Sequence, residues 1–377
     1  MKRRQFLMAS AWSLIGGLLY SRFSFAGTPK APANYLIGPC IPRNDGDFGV
    51  AVLDLSERRT RFIHTGFEGH SIVAKPGQPG RAVMFAQRPG TRCCEVDYIA
   101  GEVVRVFDSA EGRHFYGHGA FSNQADHLFT TENNFEDEHG LVTIRDTGDM
   151  EIVGEFDSHG LGPHEMFFID GGNIAVIANG GLKTSPKYKD GYKDYDRESL
   201  NSSLVLIETA SGTMLDRFNL ENRFLSIRHL SISPNQTIAM AIQDKENGES
   251  YSGGPLICVR FPDGKIVEMQ DEGGVYKRMG HHTLSISLFE ERSIVGVTSP
   301  FSDLVTFWDI QSGKLIKKVT LDSPSGLALT GDKKWFVATA NNGSVYFLDS
   351  ETLEKETISI ETPDTVGWGS HLASVMA

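Results

Sequence analysis

The chain has few of the residues and motifs that announce a chemistry. Its 377 residues include four cysteines, Cys40, Cys93, Cys94 and Cys258, and no C-x-x-C-H, so covalent attachment of a c-type haem is excluded. A disulfide is allowed but not demanded. Cys93 and Cys94 are adjacent in an apparent strand and face opposite ways, so at most one of them reaches Cys40. No Gly-x-Ser-x-Gly elbow, zincin helix, Walker loop or dinucleotide fingerprint stands in a suitable context, which leaves no catalytic residue to nominate. After Ala26 no apolar run approaches the ~18 residues of a membrane span. Positive charge is also scarce, at 36 Lys+Arg against 48 Asp+Glu, a net of -12. Without the early Lys2, Arg3, Arg4 and Arg22 the balance is 32 against 48. So acidic a body repels phosphate backbones and anionic lipid, which argues against nucleic-acid partners and peripheral membrane attachment and leaves cations and basic partners. With 40% hydrophobic and 22% charged residues, the composition is that of a folded globular chain.

The first 26 residues have the layout of an export signal. Lys2, Arg3 and Arg4 open it, Phe6 to Leu19 is largely apolar, and Ser24-Phe25-Ala26 supplies small residues for cleavage. Arg3-Arg4 followed by Gln5-Phe6-Leu7 resembles the twin-arginine signal. That resemblance implies export in the folded state and a mature periplasmic chain of residues 27–377.

From residue 35 onward, short β-rich runs alternate with Gly, Pro, Asn and Asp, without a long helical stretch. One hairpin strand recurs seven times: Val50–Asp54, Glu95–Tyr98, Val142–Asp146, Leu204–Glu208, Ile257–Phe261, Val305–Asp309 and Val345–Asp349. Each is followed by another β run and preceded by a pair of apolar runs. Four strands repeated seven times is the pattern of an all-β, seven-bladed β-propeller. The mature start supplies three strands, Tyr35 to Cys40, Phe48 to Leu55 and Arg59 to His64, and His371 to Met376 supplies the missing innermost one. The two ends are therefore expected to close the last blade together, removing open sheet edges.

Ser325-Gly326-Leu327-Ala328-Leu329-Thr330-Gly331-Asp332 with Trp335 to Asn342 resembles the YVTN unit rather than the WD40 repeat, and Ile232-Ser233-Pro234-Asn235 repeats its turn. Taken whole, the chain resembles a family of twin-arginine-exported propellers often encoded beside imelysin-type iron-uptake proteins and di-haem peroxidase-like proteins. The resemblance implies envelope proteins of those kinds as partners and iron as the context, without an established activity.

Histidine carries the chemical signal. Aligned on their innermost strands, six blades carry His in one slot: His70, His118, His164, His229, His282 and His371, with Ser325 in the remaining blade. Twelve His among 377 residues would place well under one in seven such slots. The innermost strand lines a propeller's channel and its first residue stands at the mouth, so six imidazoles are expected to converge there. His114, His159 and His281 lie just upstream as a possible second tier that orients the first. Arg228 precedes His229 and, with Ser325, is a candidate for holding an anionic or cofactor group. The same face should receive the insertions Glu132 to His139, Gly181 to Ser203 and Gln243 to Gly254. Glu132, Glu136, Asp137, Glu138 and His139 are candidate extra ligands or a solvated loop. Lys183 to Arg197, with Tyr188, Tyr192 and Tyr195, is a candidate docking loop or lid.

Neutral imidazoles without thiolate favour borderline transition metals, iron or copper first, over calcium or magnesium. A His ring is similar in this one respect to the propeller domain of nitrous-oxide reductase, where histidines hold a copper cluster. Three readings stand: a periplasmic iron-handling metal binder, a non-catalytic docking scaffold whose histidines hydrogen-bond between blades, and a copper- or iron-dependent redox enzyme. The export assignment makes one direct prediction. Changing Arg3 and Arg4 both to Lys should leave uncleaved precursor in the cytoplasm, because Lys lacks the planar guanidinium fork. Fractionation showing normal periplasmic accumulation of that variant would refute the assignment.

Overall fold

This computed structural model describes residues 34–184, 200–245 and 252–376, within which the chain is all-β. The segment read as an export signal, residues 1–26, and most of the candidate docking loop, with Tyr188, Tyr192 and Tyr195, lie outside the described residues. The strands form seven antiparallel sheets arranged as the blades of a propeller. Blades one to six span 69–108, 113–157, 163–219, 225–268, 286–320 and 324–356, each with its four strands in chain order from the channel outward.

Both faces of every blade are covered by neighbouring blades, so the middle strands do not alternate between apolar and polar. Gly49–Asp54 is buried at all six positions, and Ile174–Asn179 at all but its first. That is why the recurring hairpin strands read as continuous apolar runs such as Leu204-Val205-Leu206-Ile207, as expected of sheets buried on both sides. Outermost strands are the most exposed, and some of them recover the period of two. Leu315–Thr320 alternates half-buried Leu315, Lys317 and Val319 with exposed Ile316, Lys318 and Thr320. Between blades the space is filled by large side chains, among them Trp308, Trp368, Tyr98 and Phe307.

The seventh blade joins both ends of the chain. Asn34–Pro42, Gly49–Asp54 and Arg59–His64 form its outer three strands. Its innermost position is filled by two short pieces on the first of these: Ala373–Met376 pairs with it through Tyr35↔Val375, Leu36↔Ser374 and Ile37↔Ala373, and Val366–Trp368 through Cys40↔Trp368 and Ile41↔Gly367. The sequence had placed a single strand from His371 to Met376. The observed strand begins two residues later, and residues 369–372 separate the two pieces, held to the first strand by Gly369 N–H donating to Pro39 O at 2.8 Å.

This closure fixes a stability expectation. Val375 belongs to the core cluster that holds Tyr35, Ile37 and Val50. Removing residues 370–377 deletes that packing and exposes unpaired donors and acceptors along Asn34–Pro42. The truncated chain should lose its cooperative thermal transition or melt at least ~10 °C lower, and an unchanged melting temperature would remove the closure from any role in stability.

Candidate metal centre

The innermost strand of a blade would normally hide alternate side chains against its neighbours. Here its pairing lapses at the channel rim. In blade one the register slips between Gly69 and Ser71, leaving His70 without a partner residue; in blade three it slips between Pro163 and Glu165 around His164. In blade two the unpaired residues are Tyr116, Gly117 and His118, and in blade four Arg228 is skipped while the adjacent His229 pairs with Ala241. Bulges re-aim side chains, and these send a run of imidazoles inward. In blade seven the same effect comes from the gap between its two inner strands, where His371 lies. Gly117, at φ 104°, is part of the device, because a Cβ there would sit 2.5 Å from Cδ2 of His70.

Five histidines meet as a result. Ring centroids are 4.4 Å apart for His229 and His371, 4.6 Å for His164 and His229, 4.7 Å for His118 and His371, and 4.8 Å for His70 and His118. Nε2 of His118 and Nε2 of His371 are 3.2 Å apart. A carboxylate not anticipated from the sequence joins them. Glu165 places Oε1 3.8 Å from Nε2 of His118 and Oε2 3.5 Å from Nδ1 of His229, and its Oε2 accepts a 2.6 Å hydrogen bond from the Leu230 backbone N–H. Two groups of potential ligand atoms, each within 4.8 Å, result: His118, Glu165, His229 and His371, and separately His70, His118 and His164.

The layer divides the channel. His118, Glu165 and His371 face a cavity of about 430 Å³ running down the propeller between the inner strands. His70 and His164 face a chamber of about 250 Å³ at the mouth, and His229 lines both.

Burial keeps the layer uncharged. Desolvation, then the neighbouring imidazoles and the Arg88 and Arg228 guanidinium groups, push His70, His118, His164 and His229 well below the ordinary imidazole range. Burial lowers His371 to about 3 and raises Glu165 to about 8, the Leu230 N–H only partly opposing the rise. At neutral pH the Glu165 contacts with His118 and His229 are therefore contacts between neutral groups, not ion pairs. His70 is the extreme case: 5% exposed, with neither ring nitrogen hydrogen-bonded. A buried unsatisfied polar group costs about 1–3 kcal/mol, a cost that a bound ion would remove. The donors also fit, since imidazoles with one carboxylate suit iron, manganese or zinc. Donors to one ion stand about 3 to 3.5 Å apart at bond lengths near 2.1 Å, so sub-ångström to ångström-scale side-chain adjustments would close either group around one.

His282 does not join the layer. The inner strand of blade five starts only at Ile286, after a short helical insertion at 272–278, so the slot residue precedes any strand. Its Nε2 lies 3.2 Å from Nε2 of Gln243, its ring packs 4.9 Å from that of Phe301, and it lines the mouth chamber. Burial, with Lys245 and Arg228 nearby, lowers it to about 3.

The proposed second tier is not observed for His114 or His159. His114 lies within the inner strand of blade two, stacks on Phe135, and contacts the carbonyls of Phe115 and Thr184 at 2.9 and 3.3 Å, clamping the loop of the next blade. His159 Nε2 donates to the Gly212 carbonyl at 2.8 Å. The backbone carbonyl of His281 accepts from Asp244 N–H, and its ring does not line the chamber. Arg228 and Ser325 both do, the Ser325 hydroxyl donating to Thr339 O at 3.1 Å. The acidic loop is occupied elsewhere. Glu132 is buried against Arg145 at 3.1 Å, His139 meets Asp157 at 3.0 Å, and Glu138 lies 3.9 Å from Lys183. All four cysteines are buried free thiols.

Residues 64–375 match the family described as "Protein of unknown function (DUF1513)", and the chain belongs to that family. No curated protein matches it in sequence. Among solved structures it is similar to hydrazine synthase of Kuenenia stuttgartiensis, with a TM-score of 0.63 at 13% identity, over 81% of this chain and 90% of that one. At that identity the likeness is one of fold. In total 1490 solved chains match it, a breadth that leaves function to the site itself.

The opposed shifts give a signed pH dependence for the metal-stripped protein. Histidines held below their unfolded value bind fewer protons folded than unfolded, so stability falls as pH drops below about 6.5. Glu165, raised to about 8, does the reverse: between its unfolded value near 4.5 and 8 the folded state binds one extra proton, and stability declines as pH rises. Each such proton contributes up to about 1.4 kcal/mol per pH unit. Denaturant titrations from pH 5 to 8 should show wild type losing stability relative to Glu165→Gln as pH rises. Parallel curves would mean that Glu165 is ionised in the folded protein.

Proposed function

We propose that this DUF1513 protein binds a transition-metal ion inside the rim of its propeller, through His118, Glu165, His229 and His371. The observation that carries the reading is the convergence of three imidazoles and one carboxyl group, ligand atoms all within 4.8 Å, in a buried and uncharged layer. Blade packing needs no such layer, and propeller channels lined by Ser, Thr or Ala avoid its desolvation cost.

The ion is proposed to be iron. A carboxylate beside imidazoles, with no thiolate in reach, suits iron better than cuprous copper. The chain's resemblance to exported propellers encoded beside imelysin-type and di-haem peroxidase-like proteins supports a periplasmic iron-handling role with such envelope partners. No group in the layer is a preactivated nucleophile, so binding is proposed without turnover.

Full-length protein, untagged and isolated from its native envelope, should carry about one equivalent of iron by elemental analysis. A His118→Ala/His229→Ala variant should retain less than about a tenth of it while keeping a cooperative melt, because rim residues contribute little to packing between blades. If wild type is metal-free and takes up none of Fe(II), Mn(II), Zn(II) or Cu(II), or if the variant keeps full stoichiometry, the metal reading fails and the docking-scaffold reading replaces it.

A further inference from the structure

The two ligand groups of the histidine layer are not independent, because both contain His118. A neutral imidazole has one nitrogen that bears a proton and one that carries a lone pair. Whichever nitrogen each group uses, a neutral His118 serves one ion at a time. The groups also meet different spaces. His70 and His164 line the mouth chamber, which reaches the surface at Phe301, 80% exposed. His118, Glu165 and His371 line the cavity on the other side of the layer, and His229 lines both spaces.

Their strengths differ as well. The group of His118, Glu165, His229 and His371 offers three imidazoles and a carboxyl group, whereas the group of His70, His118 and His164 offers imidazoles alone. One of those is already engaged. Arg88 Nη1 stands 3.3 Å from His164 Nε2, and because a guanidinium only donates, that nitrogen accepts with its lone pair. An ion can draw on the same lone pair only by displacing the arginine contact. His70 has no such competitor. It is 5% exposed, neither of its ring nitrogens is hydrogen-bonded among the described residues, and its ring centroid lies 4.8 Å from that of His118 and 4.9 Å from that of His371. This side chain thus lines the mouth and also neighbours two ligands of the stronger group. Passage of an ion through a protein needs sites that bind well enough to admit it and weakly enough to let it go.

We propose that His70, His118 and His164 form a transient entry station, from which a transition-metal ion arriving through the mouth chamber passes to the resting site of His118, Glu165, His229 and His371, with His118 as the ligand common to both. This route rests on the metal reading above and adds to it an entrance, a first ligand and a limit of one ion per chain.

The test follows Co(II), whose visible absorbance reports its coordination, by stopped-flow mixing with metal-stripped full-length protein and by release to a chelator. Wild type should bind one equivalent. His70→Ala should slow loading and release alike, each about tenfold or more, so that the affinity moves less than about threefold; loss of a resting-site ligand would weaken affinity instead. Phe301→Lys tests the entrance without touching the layer, and it decides the matter if the His70 variant does not fold. Its added charge at the rim should slow loading about threefold at low ionic strength, and salt should abolish the effect. Wild type taking up no metal would sink the metal reading and the entry station with it. One equivalent in wild type, with His70→Ala loading at the wild-type rate or Phe301→Lys without effect at low salt, would leave the metal reading standing and overturn the entry station. Two equivalents held at once would also overturn it, making His118 a bridge between two ions.

Discussion

The site depends on a failure of pairing. A propeller's innermost strands surround a channel too wide for side chains held in regular register to meet across it as ligands to one ion. The bulges at His70, His118 and His164, the skipped Arg228 beside His229, and the gap around His371 rotate these residues off the blade faces and into the opening. Each lapse forfeits ladder hydrogen bonds, which cost about 0.5–1.5 kcal/mol apiece, and does so at the rim, where the lost bonds do not weaken the buried middle strands. The scaffold stays rigid because those strands are packed on both faces. Rigidity is also what holds five imidazoles, each with its centroid within 5 Å of a neighbour's, without collapse of the ring.

Neutrality follows from that crowding. Two protonated imidazoles 4.5 Å apart in a dry environment repel strongly, and with five the penalty on charging any one of them grows. The layer therefore stays neutral far below the pH at which free histidine protonates, and its lone pairs remain available to a cation. Glu165 is the exception that completes the donor set. As a carboxylic acid it adds no charge to an empty layer, and on losing its proton it supplies the one negative charge that an incoming cation would meet. Proton competition with a metal would thereby pass from imidazoles, which ordinarily titrate near 6.5, to a single carboxyl near 8.

The repeat and the histidine slot were legible in the sequence because both are periodic. The recurring strands from Val50 to Asp349 and the closure by the two ends follow from pattern alone, and the seven sheets reproduce them. What escaped was aperiodic. Glu165 lies one residue past the slot in a single blade, and nothing in its neighbourhood distinguishes it from a surface glutamate until the bulge at His164 is known. Arg88 and Lys245 come from connections between second and third strands, whose reach into the channel is set by loop geometry. His282 shares the sequence slot but not the position, since the insertion at 272–278 delays the inner strand of its blade until Ile286.

That displacement is more than an irregularity. The five converging histidines belong to consecutive blades, from seven through one to four, and the rings from the two ends of that run, His371 and His229, close on each other at 4.4 Å. Blades five and six face them with Ser325, Asn341 and the withdrawn His282. A complete ring of seven imidazoles would have sealed the channel and surrounded an ion with nitrogen alone. The incomplete one leaves room on the side of blades five and six for the mouth chamber that His70, His164 and His229 also line. The same asymmetry thus makes the first group a compact ligand set and gives the mouth chamber its space.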